Sequence, residues 1–295
     1  MSDGDSYYGQ PVLNPPVWAA LDIAGYLFLG GLAGGSSLLG AGSELTGRRG
    51  LARVTKLGAV GAISVSLVAL IHDLGRPSRF LNMLRVFKVT SPMSVGTWIL
   101  TAYAPLAGLA AASDLSGRAP RVGRAATLGA GGLGPAVASY TAALIADTAV
   151  PVWHDAHREL PFVFVGSAAT AAAGLALLGA PPVEAGPARR LALIGAAAEL
   201  LASRLMEERL GELAEPLHHG RSGMLLRASK VLTVLGVGFG AVLGRRGRRR
   251  AALGGGMLLA ASACTRFGIF EAGMASARDP RHTVAPQRGR VAARR

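Results

Sequence analysis

The sequence runs to 295 residues, of which 51% are hydrophobic and only 16% charged, and its mean hydropathy is +0.39. Soluble domains carry about a quarter charged residues, so this chain lacks the polar surface that covers a soluble globule. The net charge of +14 reads as the basic flanks of membrane helices and not as a nucleic-acid footprint.

Residues 1–17 are acidic at the start, Pro-rich and without Lys or Arg. They do not read as a cleaved signal peptide and are predicted to be an N-terminal tail, with the first span acting as the insertion signal. Four runs then follow without any Asp, Glu, Lys, Arg or His: Ile23–Ser43, Val89–Ser113, Ala125–Ala146 and Leu160–Val183. Each reaches the roughly 20 residues that a helix needs to cross the hydrocarbon layer. Four weaker runs complete the set. Leu57–Ile71 ends in a charged motif, and Leu191–Leu210 is interrupted by Glu199 and Arg204. Leu225–Gly244 carries Arg227 and Lys230, and Ala251–Ala272 carries Arg266 and Glu271.

Alternating strand patterns are absent, and unpaired backbone groups cannot face lipid. The expected fold is therefore all-α, a polytopic membrane bundle of about eight helices over residues 18–275, followed by a basic tail over 276–295. No internal repeat is visible. Two stretches, "FLGGLAGGSSLLGAG" (28–42) and "LGAGGLGPAVAS" (128–139), are dense in small residues, which allow helix backbones to approach closely in lipid. Arg48 and Arg49 in the first loop, then Arg53 and Lys56, favour an external N-terminus in a plasma membrane. The clusters over 118–124 and 245–250 agree, whereas Arg76, Arg79, Arg85 and Lys88 load the other face.

Residues that could hold a redox group are few. The six histidines (His72, His154, His157, His218, His219 and His282) lie at span ends or in loops, whereas a haem between helices takes ligands from within the bundle. The single cysteine, Cys264, excludes an internal disulfide and any cluster ligated by cysteines of this chain alone. No haem or iron–sulfur cluster of its own is expected, so electrons would have to come from a partner.

The motif "LIHDLGRPSRF" (70–80) then stands out. Charge at a bilayer rim is expensive and is a functional-site candidate by default. His72 and Arg76 are four apart and share a helix face; Asp73 is placed to pair with Arg76, and Pro77 to stop the helix. The bland alternative is an ion pair that anchors the end of a span. Trp18, Trp98 and Trp153 fall near span ends and read as interfacial belt residues. The charged segment from Asp147 to Glu159 reads as solvated surface.

The segment "DLGRPSRFLNMLRVFKVTSPMSVGTWIL" (73–100) resembles the signature of the NrfD/PsrC family, the membrane subunits of polysulfide-reductase-like complexes. Residues 18–35 resemble the family's first span, 140–168 its fourth-to-fifth span region, and 266–288 the C-terminal end of actinobacterial-type members. The resemblance implies an eight-helix bundle without haem that exchanges electrons with the quinone pool. It also implies two partners, a ferredoxin-like iron–sulfur subunit and a molybdopterin-type catalytic subunit. A fourth-span tyrosine holds the quinone headgroup in the family; by motif this is Tyr140, with Asp22 and Tyr26 on the first span as further candidates. The expected substrate is thus a quinone or quinol, menaquinone-type included, held by Tyr140, Arg76, Asp22 and Tyr26. His72, whose ordinary pKa is about 6.5, and Asp73 are expected to exchange protons with it. Two rival readings are a passive anchor for a catalytic subunit and a small-solute transporter. A proton route through Glu44, Glu199 and Arg204 is a further possibility on this reading.

Overall fold

The computed structural model describes residues 13–14, 16–74, 76, 82–85 and 87–282. Eight long helices account for most of them: α1 (Ala20–Leu45), α2 (Arg49–Asp73), α3 (Pro92–Ser116), α4 (Pro120–Ala146), α5 (Leu160–Gly179), α6 (Gly186–Leu210), α7 (Gly220–Val237) and α8 (Arg248–Arg278). Among the described residues there is no strand. The sequence supplies the boundaries. α3, α4, α5 and α6 each begin with a proline in the first turn, where the missing N–H costs nothing. At α3 the Ser91 hydroxyl accepts a hydrogen bond from the Ser94 N–H, and Gly117 closes the helix in the left-handed region at φ 66°. The "SPMS" tetrapeptide is thus a helix-start device.

Seven helices have the length and apolarity to cross a membrane; the chain is a multi-pass membrane protein. The eighth, α6, has 25 residues but is excluded by its charge, which includes Arg189, Arg190, Glu207, Glu208 and Arg209 near its ends. It packs on α5 nonetheless. A side chain at Gly166 would strike the Glu199 backbone, and one at Gly195 would strike Ala169 and Thr170. Glu199 is buried, and Arg204 is exposed, pairing with Glu208 one turn away at 2.8 Å.

Small residues make α1 the axis of the bundle. A Cβ at Gly34 would meet the backbone of Gly134 on α4, and one at Gly35 would meet Ala168 on α5. One at Gly31 would meet the Arg266 guanidinium on α8, and one at Gly40 would meet Thr55 on α2. Each glycine removes a methyl group from a crossing, so backbones touch and dispersion replaces the hydrophobic drive absent in lipid. α7 joins α8 by the same means at Gly236 and Gly254, then relaxes into a π-helical turn over Gly238–Val242. The last helix runs to Arg278, beyond the boundary expected at 275, and residues 283–295 of the expected basic tail lie outside the described residues.

Candidate functional site

The helices alternate in direction, so the starts of α1, α3, α5 and α7 and the ends of α2, α4, α6 and α8 share one end of the bundle. A cavity of about 120 Å³ opens there between α1, α2, α3 and α4. Its walls are mostly apolar: Trp18, Ile23, Leu70, Leu74, Met83, Met93, Leu100, Leu144 and Ile145. Three polar side chains that can exchange hydrogen bonds or protons with a ligand line it, Tyr26, Asp73 and Tyr140, beside Thr97 and the bare backbone of Gly96. The Thr97 hydroxyl is committed to the Met93 carbonyl of its own helix at 2.8 Å.

Tyr26 and Tyr140 come from helices 114 positions apart and join hydroxyl to hydroxyl. Both rings are buried, at 2% and 8% exposure. A phenol is both donor and acceptor, so whichever tyrosine accepts this bond keeps its own O–H free. The pair therefore presents one uncommitted phenolic donor in a dry pocket. Gly96 is what admits the Tyr140 ring, since a side chain there would overlap its edge.

The polar cluster continues outward from Asp73, the last residue of α2. Its carboxylate lies close to the Ala19 backbone and within electrostatic reach of Asp22 and His72. His72 Nδ1 meets Asp22 Oδ2 at 2.9 Å, and its side chain is 77% exposed. The arrangement is graded: His72 in solvent, Asp22 half-buried beneath it, Asp73 at the cavity wall and the tyrosines inside.

Arg76 stands apart. α2 ends at Asp73, so the helical spacing that would bring Arg76 to Asp73 or share a face with His72 is not in place. Arg76 is exposed and does not line the cavity; among the described residues it forms no ion pair. Gly75 and residues 77–80 of the motif lie outside the described residues.

One surface expectation changes. Trp153 is fully buried: its indole N–H donates to the Ile269 carbonyl at 2.8 Å, and its ring packs on Trp18 and Phe270 with centroids 6.0 and 5.6 Å away. It belongs to the core because the short helix Pro151–Asp155 folds it under the bundle end. Trp98, at 38% exposure, does face outward. The charged segment is surface, with Asp147, His154, His157 and Arg158 exposed, but Glu159 is tethered. Glu159 takes a two-pronged bond from Arg209, at 2.6 and 2.5 Å, which holds its carboxyl below the usual carboxylate range. A depressed folded-state pKa gives stability that is present above the ordinary carboxylate range and is lost as pH falls through the depressed value. Glu159→Gln is therefore expected to lower Tm at neutral pH and to flatten its acid-side decline, which melting curves between about pH 6 and about pH 3 would show.

Several buried polar groups carry no local sequence signal of burial. The Tyr103 hydroxyl bonds Ser37 at 2.7 Å within the same four helices. Lys56 is buried at the other end of the bundle, against Glu44. Glu199 takes hydrogen bonds from Thr170 and Thr265 at 3.2 and 2.6 Å, and Arg266 is enclosed beside it. Among the described residues, no group of three or more His, Cys, Asp and Glu could hold a metal ion.

A helical membrane bundle with a lipid-level cavity lined by tyrosines defines the class. Residues 10–181, more than half of the chain, match the family described as "Polysulphide reductase, NrfD". The chain belongs to the NrfD family, the membrane subunits of polysulfide-reductase-like complexes that also contain iron–sulfur and molybdoenzyme subunits. The match holds α1 to α5 and the whole cavity; the C-terminal resemblance over 266–288 lies beyond it. No curated protein matches the chain.

Proposed function

We propose that this chain is the quinone-reacting membrane subunit of a multisubunit oxidoreductase, exchanging electrons with a partner iron–sulfur subunit that docks at the Asp22 end. The observation that carries this reading is the Tyr26–Tyr140 pair in an apolar cavity on lipid-embedded helices. The walls fit such a substrate. About 120 Å³ is below the roughly 300–1,000 Å³ of a pocket that encloses a drug-sized ligand; it suits one ring, with the prenyl tail left in lipid. A bound quinone or quinol would supply the redox chemistry, exchanging two electrons with the partner and two protons with the chain's own groups.

The chain's own residues provide the rest. The free phenolic O–H of the tyrosine pair donates to a ring oxygen where negative charge develops, and a preplaced donor in a dry site stabilises that charge without reorganisation. Asp73, at the wall, holds or passes a proton. His72 and Asp22 connect Asp73 with solvent, His72 Nδ1 meeting Asp22 Oδ2 at 2.9 Å. The other end of the bundle bears Arg48, Arg49, Arg53, Lys56, Arg118, Arg121, Arg124 and the run 245–250, against the acids Glu44, Asp114 and Glu184. Basic short loops face the cytoplasm, so the N-terminus and the cavity lie on the external side of the plasma membrane.

The test is a titration of the purified complex with a short-chain menaquinone analogue. Tyr140→Phe is expected to weaken binding about tenfold, equal to about 1.4 kcal/mol and within the range of one hydrogen bond. Asp73→Asn is expected to leave affinity near wild type while slowing quinol oxidation at fixed pH. Unchanged affinity and turnover in both variants would leave only the passive anchor.

A further inference from the structure

At the end of the bundle away from the tyrosines lies the larger cavity, about 440 Å³, framed by α1, α2, α3 and α4. Four cations line it, Arg49, Arg53, Lys56 and Arg124, with only two carboxylates, Glu44 and Asp114. Both carboxylates are already engaged. Lys56, 7% exposed, holds Glu44 at 2.7 Å and Asp114 at 3.4 Å, and Arg53 reaches Asp114 at 3.6 Å. Arg49 and Arg124 are exposed and, among the described residues, neither pairs with an acid. Two positive charges therefore face a cavity wide enough for a phosphate group. The start of α4 borders it too, not closed by a side-chain hydrogen bond at its N-cap, so its helix dipole adds to the same sign; the start of α2 is already served, Leu51 N–H donating to Glu184 Oε2 at 2.8 Å.

Below the rim the surface turns apolar in register. Leu57, Leu109 and Leu128 are 36%, 50% and 36% exposed. Each lies four residues, one turn, deeper into the bundle than a cavity residue on its own helix: Arg53 on α2, Ser113 on α3 and Arg124 on α4. A free inorganic anion has no use for those leucines. A molecule with a phosphate at the interface and acyl chains running inward matches both layers, and basic pockets between membrane helices are a recurrent site for such headgroups.

We propose that this cavity binds the phosphate of an anionic phospholipid, held by Arg49 and Arg124 with its chains along Leu57, Leu109 and Leu128. The lipid ties α2 to α4 at the end of the bundle remote from the tyrosine pocket, and the site stands independently of the quinone assignment.

The experiment uses the full chain in nanodiscs of phosphatidylcholine, with phosphatidylglycerol added stepwise and Tm recorded. Expected are a saturable rise for wild type and a shift of the half-saturating lipid fraction by tenfold or more in Arg49→Gln/Arg124→Gln. Arg245→Gln/Arg246→Gln, which alters cations outside the cavity, keeps the wild-type curve, and glycerol phosphate without acyl chains does not compete. A normal curve for the Arg49/Arg124 variant overturns the proposal. So does an equal loss in the Arg245/Arg246 variant, which would mean diffuse charge, or competition by inorganic phosphate at matching concentration, which would mean a free-anion site. Native mass spectrometry of wild type gives a check without mutation: retained phosphatidylglycerol in preference to phosphatidylcholine is expected, and equal retention of the two overturns it.

Discussion

Arg266→Met is expected to destabilise the folded protein by about 3–5 kcal/mol, the loss that follows when one partner of a buried charge pair is removed. Arg266 is completely enclosed, with one guanidinium nitrogen donating to the Phe164 carbonyl at 2.6 Å and the group lying 3.7 Å from the centre of the Phe164 ring. Among the described residues its other two nitrogens have no hydrogen-bond partner. Glu199, also buried, is the opposite charge that faces it between α6 and α8. Removing the cation strands the carboxylate, whereas removing both charges leaves neutral groups that Thr170 and Thr265 still serve. The double variant Arg266→Met/Glu199→Gln should therefore recover most of the loss. Thermal unfolding in detergent of the four proteins of this cycle measures the coupling, and additive effects would show that the two charges do not depend on each other.

Trp153→Ala is expected to cost a similar amount, about 3–5 kcal/mol, as large-to-small changes at buried aromatics do. Beyond the void, it strands the Ile269 carbonyl that the indole N–H now satisfies. It also reaches the tyrosine cavity, because Trp18 forms part of that cavity's wall and stacks on Trp153 with an interplanar angle of 19°. Trp153→Phe keeps a ring under Trp18 and loses only the donor, so its cost should be nearer 1–2 kcal/mol. Melting curves paired with quinone-analogue affinity separate the two effects. If affinity is unaltered in Trp153→Ala, the stack does not position the cavity wall.

The spans were readable because uninterrupted apolar length is a one-dimensional signal: the four strongest runs appear as α1, α3, α4 and α5. Tyr140 and Tyr26 could be named as candidates from motif resemblance, but their mutual bond could not. A membrane helix that is apolar all round gives no periodic clue to which face meets which neighbour. For the same reason Lys56 and Arg266 look like any flanking cations in sequence, although both are buried. The expected Asp73–Arg76 pair failed on a single local fact, since helical spacing has meaning only while the helix lasts and α2 stops at Asp73. Trp153 misled in the opposite sense: its place near a span end suggests the interface, and only the five-residue helix Pro151–Asp155 turns it inward.

The position of α1 bears on how the protein is made. It is the first of the eight helices to leave the ribosome, yet its bare faces at Gly34, Gly35 and Gly31 are covered by α4, α5 and finally α8. At about 5–20 residues per second of synthesis, Gly31 waits on the order of ten seconds or more for the guanidinium that fits against it. During that interval the nascent chain holds an unfilled groove in the bilayer, and the last helix must carry a cation into a slot already shaped by its predecessors.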